Sequence, residues 1–338
     1  MDELPSYSIA IRTLGTVGDI FKLELESICL QTVKPERVLV YIAEGYPRPS
    51  FSVGEEEYIW VKKGMIAQRT LHYDEISSDC ILTLDDDVLL APNSAELLLR
   101  AIKENDVDAV GADAFKNHEM GLGMKVYAAF TNLVFPHCSR KWALKVHRNG
   151  SFSYNNHPFR PFYYSQRCEG PAILWKKEAL ISVHLEDEEW LDELVFAYLE
   201  DTLETYKLYF NGGKLGLLYN AGIIHLDAGA SSGDYKKDPR RFYIRTKASF
   251  MVWWRMCFRN GADTSLSRIL AATSYGIKFV LLIPAMCIAA LVYRRQNVIC
   301  SYFKGVRDGW REVHSEPFRS LPPYYMMKKE EIPSLCSE

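Results

Sequence analysis

The sequence predicts an α/β protein whose mostly parallel sheet carries helices on both faces, and three observations predict it. Strand and helix signals alternate through the first third of the chain, which is the pattern of parallel sheets covered on both sides. One buried strand runs straight into three consecutive aspartates, at the strand end where ligands collect in such sheets. The 338 residues are 48% hydrophobic, enough for a sizeable buried core and too much for a disordered chain.

The elements follow in order. Tyr7 to Arg12 is a β-prone run, closed by the turn Leu14-Gly15-Thr16-Val17-Gly18, and Asp19 is placed to cap a helix through Leu30. Arg37 to Ile42 and Tyr58 to Val61 read as strands, Met65 to Ile76 as a helix, and Cys80 to Leu84 as the buried strand before Asp85-Asp86-Asp87. From Gly111 to Gln166 the pattern is irregular and rich in Asn, His, Pro and aromatics, a loop-rich insertion whose aromatic content favours ordered contact. Strand and helix signals return after Glu169-Gly170-Pro171-Ala172. An acidic stretch from His184 to Asp201 then leads into a helix through Phe210, which Gly212-Gly213 closes.

Composition narrows the function classes. Forty basic against forty-three acidic side chains give a formal net charge of -3, so no basic excess points to nucleic acid. The eight cysteines are scattered without zinc-type spacing and read as reduced thiols. The N-terminus lacks a basic n-region followed by an apolar run, so the expected location of the chemistry is the cytoplasmic side. Beyond His225 the composition shifts. Lys236 to Arg259 is basic and interleaved with aromatics, and Ile269 to Tyr293 is apolar apart from Lys278, with Pro284 inside it. The uncharged run from Phe279 falls short of the roughly 20 residues a spanning helix needs. A helix lying in the membrane interface, with basic residues on anionic headgroups and tryptophans at the boundary, is the expectation; the plain alternative is a helix packed on the protein's own core.

Asp85-Asp86-Asp87 is the sharpest feature. Three adjacent carboxylates repel one another, so they require raised pKa values or a counter-cation, and a hard ion such as Mg2+ or Mn2+ suits them. A solvated acidic turn is the competing reading. The turn Gly15 to Gly18 lacks the first glycine of the dinucleotide fingerprint, which argues against a nicotinamide or flavin enzyme.

Five elements recur together: Ile9 to Thr13, Ser27 through Gln31-Thr32-Val33-Lys34-Pro35, Leu84 to Asp87, Asp192-Glu193 to Glu200-Asp201, and the strand ending in His225. In this order the chain resembles the family 2 glycosyltransferases of the GT-A fold, of the bacterial surface-polysaccharide type with a C-terminal membrane-associated region. The resemblance covers roughly residues 5 to 235. It implies a nucleotide-sugar transferase domain over 1–235, with 111–170 an insertion on the acceptor side. A helical region over 236–338 follows, holding the hydrophobic segment 269–293. It implies that Asp85, Asp86 and Asp87 hold the ribose and a divalent metal, with Asp87, Asp85 and His225 the metal ligands, and that Asp201 is the general base. Thr13, Glu44, Arg69, Glu169, Gly170 and Glu200 join Asp85 and Asp86 as nucleotide-sugar contacts. Glu44 stands where many members carry an acidic pair, and Leu203 where members often carry a further Asp.

The chemistry of transfer is consistent with this set. A cation neutralises the departing diphosphate and a base on the opposite face takes the acceptor hydroxyl proton. One base and no evident carboxylate nucleophile favour direct displacement with inversion. The expected activity is an inverting, metal-dependent glycosyltransferase at the cytoplasmic face of the inner or plasma membrane, bound peripherally or monotopically. Its expected acceptor is a glycan, lipid-linked in surface polysaccharide synthesis. Two alternatives remain open on the sequence: a nucleotidyltransferase or nucleotide-sugar hydrolase on the same fold, and a non-catalytic membrane-associated scaffold.

Overall fold

The structure, a computed structural model, describes residues 3–114, 139–194, 198–226, 240–292 and 297–324. Lys236, Lys237, Arg294, Arg295, Cys138, Cys336 and part of the expected insertion lie outside these residues.

Twelve strands are described: β1 (Tyr7–Thr13), β2 (Val38–Ala43), β3 (Glu56–Val61), β4 (Cys80–Asp85), β5 (Val88–Leu90), β6 (Ala109–Ala112), β7 (Leu144–Val146), β8 (Phe152–Tyr154), β9 (Phe162–Ser165), β10 (Ala172–Lys176), β11 (Leu215–Leu218) and β12 (Ile223–His225). Eight of them form one sheet in the order β3-β2-β1-β4-β10-β6-β11-β9. β3, β2, β1 and β4 are mutually parallel, and β6 and β11 are parallel to each other. β10 runs antiparallel between β4 and β6, and β9 antiparallel at the β11 edge. This is the mostly parallel sheet expected, and β1 and β2 are buried along their whole length because both faces are covered.

The alternation of side chains along these strands divides the core. Ile9, Ile11, Val40, Ile42, Leu82 and Leu84 face α1 (Asp19–Cys29) and α2 (Ser94–Glu104). Ala10, Leu39, Tyr41, Ile81 and Ile173 face the other way, with Trp175, whose indole donates to Thr83 Oγ1 at 3.1 Å. That second face is covered by α3 (Lys177–Ser182), a 3-10 segment over Leu185–Glu193 and α4 (Glu200–Phe210). It is also covered by α5 (Arg241–Trp253), which continues through a π-helical stretch to Asn260. α6 (Ser265–Val292), α7 (Val298–Val313) and α8 (Glu316–Ser320) complete the chain. A Cβ at Gly305 or Gly309 of α7 would meet α5 atoms at 2.8 Å and 3.0 Å, so these two glycines let the helices approach backbone to backbone.

Two expectations are corrected. Residues 65–76 are turns, not a helix. Asp192 accepts hydrogen bonds from the N–H groups of Ile66 and Ala67, both at 2.9 Å, and Tyr73 adopts a left-handed φ of 53°. A side chain from another element thus supplies what a helix start needs, but the coil stops at Arg69 and the chain runs on irregularly through the left-handed Tyr73. The helix-like period of the sequence there reflects burial of Ile66, Ala67 and Arg69 in a compact loop.

The second correction concerns the basic, aromatic stretch, most of whose described part is an internal seam, with Arg240 and Arg245 left at the surface. Trp253 is 4% exposed and donates to the Arg148 carbonyl at 2.8 Å. Arg255 is fully buried against Glu188, Lys247 pairs with Glu312 at 3.2 Å, and Arg259 Nη1 and Nη2 donate to the carbonyls of Phe318, Arg319 and Leu321. Aromatics interleaved with cations suit a domain seam as well as a membrane boundary, because each cation finds a carboxylate, carbonyl or ring inside the fold. The apolar segment, by contrast, is not packed away: only 6% of the Ser265–Ile288 window is buried.

Candidate active site

The site is built at the carboxyl ends of β1 and β4, where the parallel register sets Arg12 beside Asp85. Arg12 Nη2 lies 3.2 Å from Asp85 Oδ1 and 3.3 Å from the Gly170 carbonyl. Thr13 donates its hydroxyl to Asp86 and accepts from the Gly15 N–H at 2.7 Å, which fixes the turn after β1. Burial, countered by that Thr13 hydrogen bond and reinforced by Asp85 and Asp87, pushes the Asp86 carboxyl up to about 7. Beneath it Glu24 of α1 is fully buried, and burial together with the three aspartates holds its acid well above the usual range.

The turn after β4 feeds β5, which pairs with β12 so that Val88 faces His225. This pairing carries His225 Nε2 to 3.0 Å from Asp87 Oδ1. The structure thus joins two of the expected metal ligands, while Asp85 turns to Arg12 and, at 3.8 Å, to Arg69. Among the described residues no three His, Cys, Asp or Glu side chains converge as a metal cage. A carboxylate and imidazole pair fits a hard divalent ion that draws its remaining positions from phosphate oxygens and water, so Asp87 and His225 are the residues that would hold one.

A second group of side chains comes from α4 and the segment before β10. Arg69, 5% exposed, stands 3.7 Å from Glu200 and 3.8 Å from Glu204, while Arg167 Nη2 lies 3.2 Å from Asp201 Oδ2. Gly170 sits between them. A Cβ there would meet Asp201 Cβ at 3.1 Å and Arg69 Nη2 at 3.3 Å, so glycine permits the close approach. Burial pushes Glu169 up to about 7, with Arg167 opposing and Asp201 adding to the effect, and burial pushes Glu200 to about 7 against the pull of Arg69. The Nε atoms of Arg12, Arg69 and Arg167 are buried with no hydrogen-bond partner among the described residues. Buried donors of this kind call for an explanation, and an anionic ligand supplies one.

The structure therefore gathers Thr13, Arg69, Asp85, Asp86, Gly170, Glu200 and Asp201 around the strand ends, with Glu169 beside Arg167 and Asp87 joined to His225. Glu44 is not brought in: it is exposed after β2 and forms no ion pair with the others among the described residues. Sequence reasoning missed Arg12, Arg167 and Asp192. A basic side chain one residue before Thr13, and one two residues before Glu169, were the available signals.

No family model and no curated protein sequence matches the chain. Solved structures do match. GalNAc-T7 with UDP, GalNAc and Mn2+ superposes with a TM-score of 0.50 at 11% identity, over 76% of this chain and 51% of that one. The fold is of the GT-A type. The chain spans about half the length of the GalNAc-T7 chain it matches. The mannosyltransferase PcManGT from Pyrobaculum calidifontis, in complex with GDP-Man and Mn2+, matches at 10% identity over 92% of this chain and 88% of its own, with a TM-score of 0.48. At such identities the likeness is one of fold.

Proposed function

We propose that the protein is an inverting glycosyltransferase that moves a sugar from a nucleoside-diphosphate sugar to the hydroxyl of a glycan acceptor. The observation that carries this reading is the pairing of two carboxyl clusters across Gly170, with three buried arginines between them. Arg12 and Arg69 sit where a diphosphate would meet them, at the strand ends of a GT-A sheet. The UDP and Mn2+ held by GalNAc-T7 are consistent with this. Asp87 and His225 would hold Mg2+ or Mn2+, which when bound neutralises charge on the leaving diphosphate.

In the transfer step the acceptor oxygen forms a bond to the anomeric carbon as the bond from that carbon to the diphosphate oxygen breaks. The acceptor proton passes to the Asp201 carboxylate, and the nucleoside diphosphate departs. Arg167 orients that carboxylate through its 3.2 Å contact. Thr13, Asp86, Glu169 and Glu200 line the donor side, with Gly170 giving the sugar close access to the backbone.

In the same reading residues 1–235 perform transfer, and residues 111–170 face the acceptor. Residues 236–338 bring the enzyme to the cytoplasmic face of a membrane, where the acceptor is lipid-linked. A panel of nucleotide sugars, scored for Mn2+-dependent thermal stabilisation, tests it. A donor at 100 times its dissociation constant stabilises by about 2.7 kcal/mol. Stabilisation by one nucleotide sugar that requires a divalent ion is expected. The reading is lost if none of the panel stabilises the protein.

A further inference from the structure

α6 holds 28 residues, about 42 Å of helix at 1.5 Å per residue, and is apolar and long enough to cross a bilayer. Its ties to the rest of the protein are made in its middle. Tyr275 stacks on Trp253 with ring centroids 4.1 Å apart, and Phe279 stacks on Tyr302 of α7 at 4.6 Å. Lys278 donates to the carbonyl of Asn149, which is 2% exposed in the turn joining β7 to β8. A membrane crossing along the apolar stretch would therefore draw the β7–β8 turn and the α5 seam toward the centre of the hydrocarbon, where irregular backbone and a charged lysine are costly.

The face turned away from the protein is different in kind. Ile269, Leu270, Ile277, Val280, Ile288 and Leu291 are all exposed on it. Lys278, on the tied face, is the sole charged side chain from Ile269 to Leu291. α7 borders α6 at the edge of the tied side, where Phe303 meets Phe279 edge-on at 5.3 Å. Along its own exposed side it presents Phe303, Lys304, Arg307, Trp310 and Arg311, while the carboxylates of the same helix are paired, Asp308 with Arg307 at 3.0 Å and Glu312 with Lys247 at 3.2 Å. An uncharged aliphatic face beside a net positive, aromatic one is the composition of a helix pair at a lipid boundary.

We propose that this face docks on a bilayer with anionic headgroups, with α6 lying in the membrane plane, its outer side among the upper acyl chains, and α7 at the headgroups. The inference rests on the membrane partner in the reading above and not on the sugar chemistry. It commits to a membrane-bound form that does not span.

Vesicle sedimentation of the whole protein, without donor or acceptor, tests the docking. Pelleting is expected with phosphatidylcholine vesicles containing phosphatidylglycerol, and at least tenfold weaker binding with phosphatidylcholine alone. The triple variant Lys304→Glu, Arg307→Glu, Arg311→Glu should lose that preference, and Ile277→Glu should weaken binding to both. Both sites are exposed, and unchanged thermal unfolding checks that the variants fold. Geometry is read by an impermeant thiol reagent added outside sealed vesicles carrying Ser265→Cys or Leu291→Cys protein, with labelled sites located by mass spectrometry. Labelling at both ends is expected. Labelling at one end alone would mean a spanning helix and overturn the proposal. So would equal binding to both vesicle types, or a dimer in lipid-free solution that Ile277→Glu dissolves, because a second copy would then be the occupant. Failure here leaves the nucleotide-sugar result standing, and the converse also holds.

Discussion

In the knot beneath the C-terminal helices, Arg255 meets Glu188 through Nε and Nη2 at 2.9 to 3.2 Å, and its guanidinium lies 4.8 Å over the Tyr324 ring. Lys207 joins the same knot, 2.8 Å from Asp187, and Trp190 donates to Glu188 at 2.8 Å. At the strand ends Arg69 is as deeply buried, yet its nearest carboxylate oxygens stand 3.7 and 3.8 Å away. Carboxyl groups outnumber guanidinium groups there, and Asp86, Glu169 and Glu200 are all pushed up to about 7 by burial. The first cluster closes its ion pairs at hydrogen-bond distance and ties the C-terminal helices to the 3-10 segment over the sheet, although Arg255 Nη1 and the Tyr324 hydroxyl have no hydrogen-bond partner among the described residues. The second has surplus acid and slack distances around Arg69, the condition of a site whose last component is a ligand.

Breaking each cluster should separate the two roles. Asp201→Asn is expected to lower the transfer rate by about 10²–10⁴-fold, the usual contribution of a general base, with the thermal midpoint nearly unchanged; a steady-state assay beside an unfolding curve reads both. Glu188→Ala should do the opposite. Leaving Arg255 buried without its partner costs about 3–5 kcal/mol of stability, measured by denaturant titration, because the charge stays in the core uncompensated.

Acidity sharpens the contrast further. Glu169 and Glu200 have folded pKa values of about 7, above the unfolded value of about 4.3. Their contribution to stability is fully present below the unfolded value and is lost as pH rises toward 7. The ligand-free protein should therefore lose stability between about pH 4.5 and 7. Glu169→Gln and Glu200→Gln should each flatten that slope in parallel urea titrations.

The smallest expected effect lies between the clusters. Asp192 belongs to the same 3-10 segment as Glu188 and holds the Ile66 and Ala67 amides of the loop bearing Arg69. Asp192→Asn should cost about 1.5–3 kcal/mol of stability, the scale of a hydrogen bond to a charged group. It should also raise the KM for donor more than it lowers kcat, a split that steady-state kinetics reads.

Where one element's residues decided its structure, the sequence was legible. The runs at Tyr7, Arg37 and Cys80 are strands because they are apolar and β-prone, and the acidic triplet falls at a strand end as expected. The loop at 65–76 was not legible, because the group that shapes it, Asp192, is more than a hundred residues away. Arg12 and Arg167 escaped for a related reason: neither arginine announces anything until the fold sets Asp85 beside the one through strand register and Asp201 beside the other from α4. The basic stretch misled because a buried ion pair and a surface patch have the same composition, and Glu188, its internal partner, sits in an acidic run far upstream.

The antiparallel β10 has a consequence for how the chain is made. It fills the gap between β4 and β6, although both precede it by sixty residues or more. While the polypeptide emerges from the ribosome, those two strands present open, apolar edges until Ala172–Lys176 arrives to bridge them. The sheet therefore closes through a late, long-range pairing, which slows folding and lengthens the interval in which aggregation competes. Synthesis of this protein is thus a race between the insertion of five residues and the self-association of an incomplete sheet.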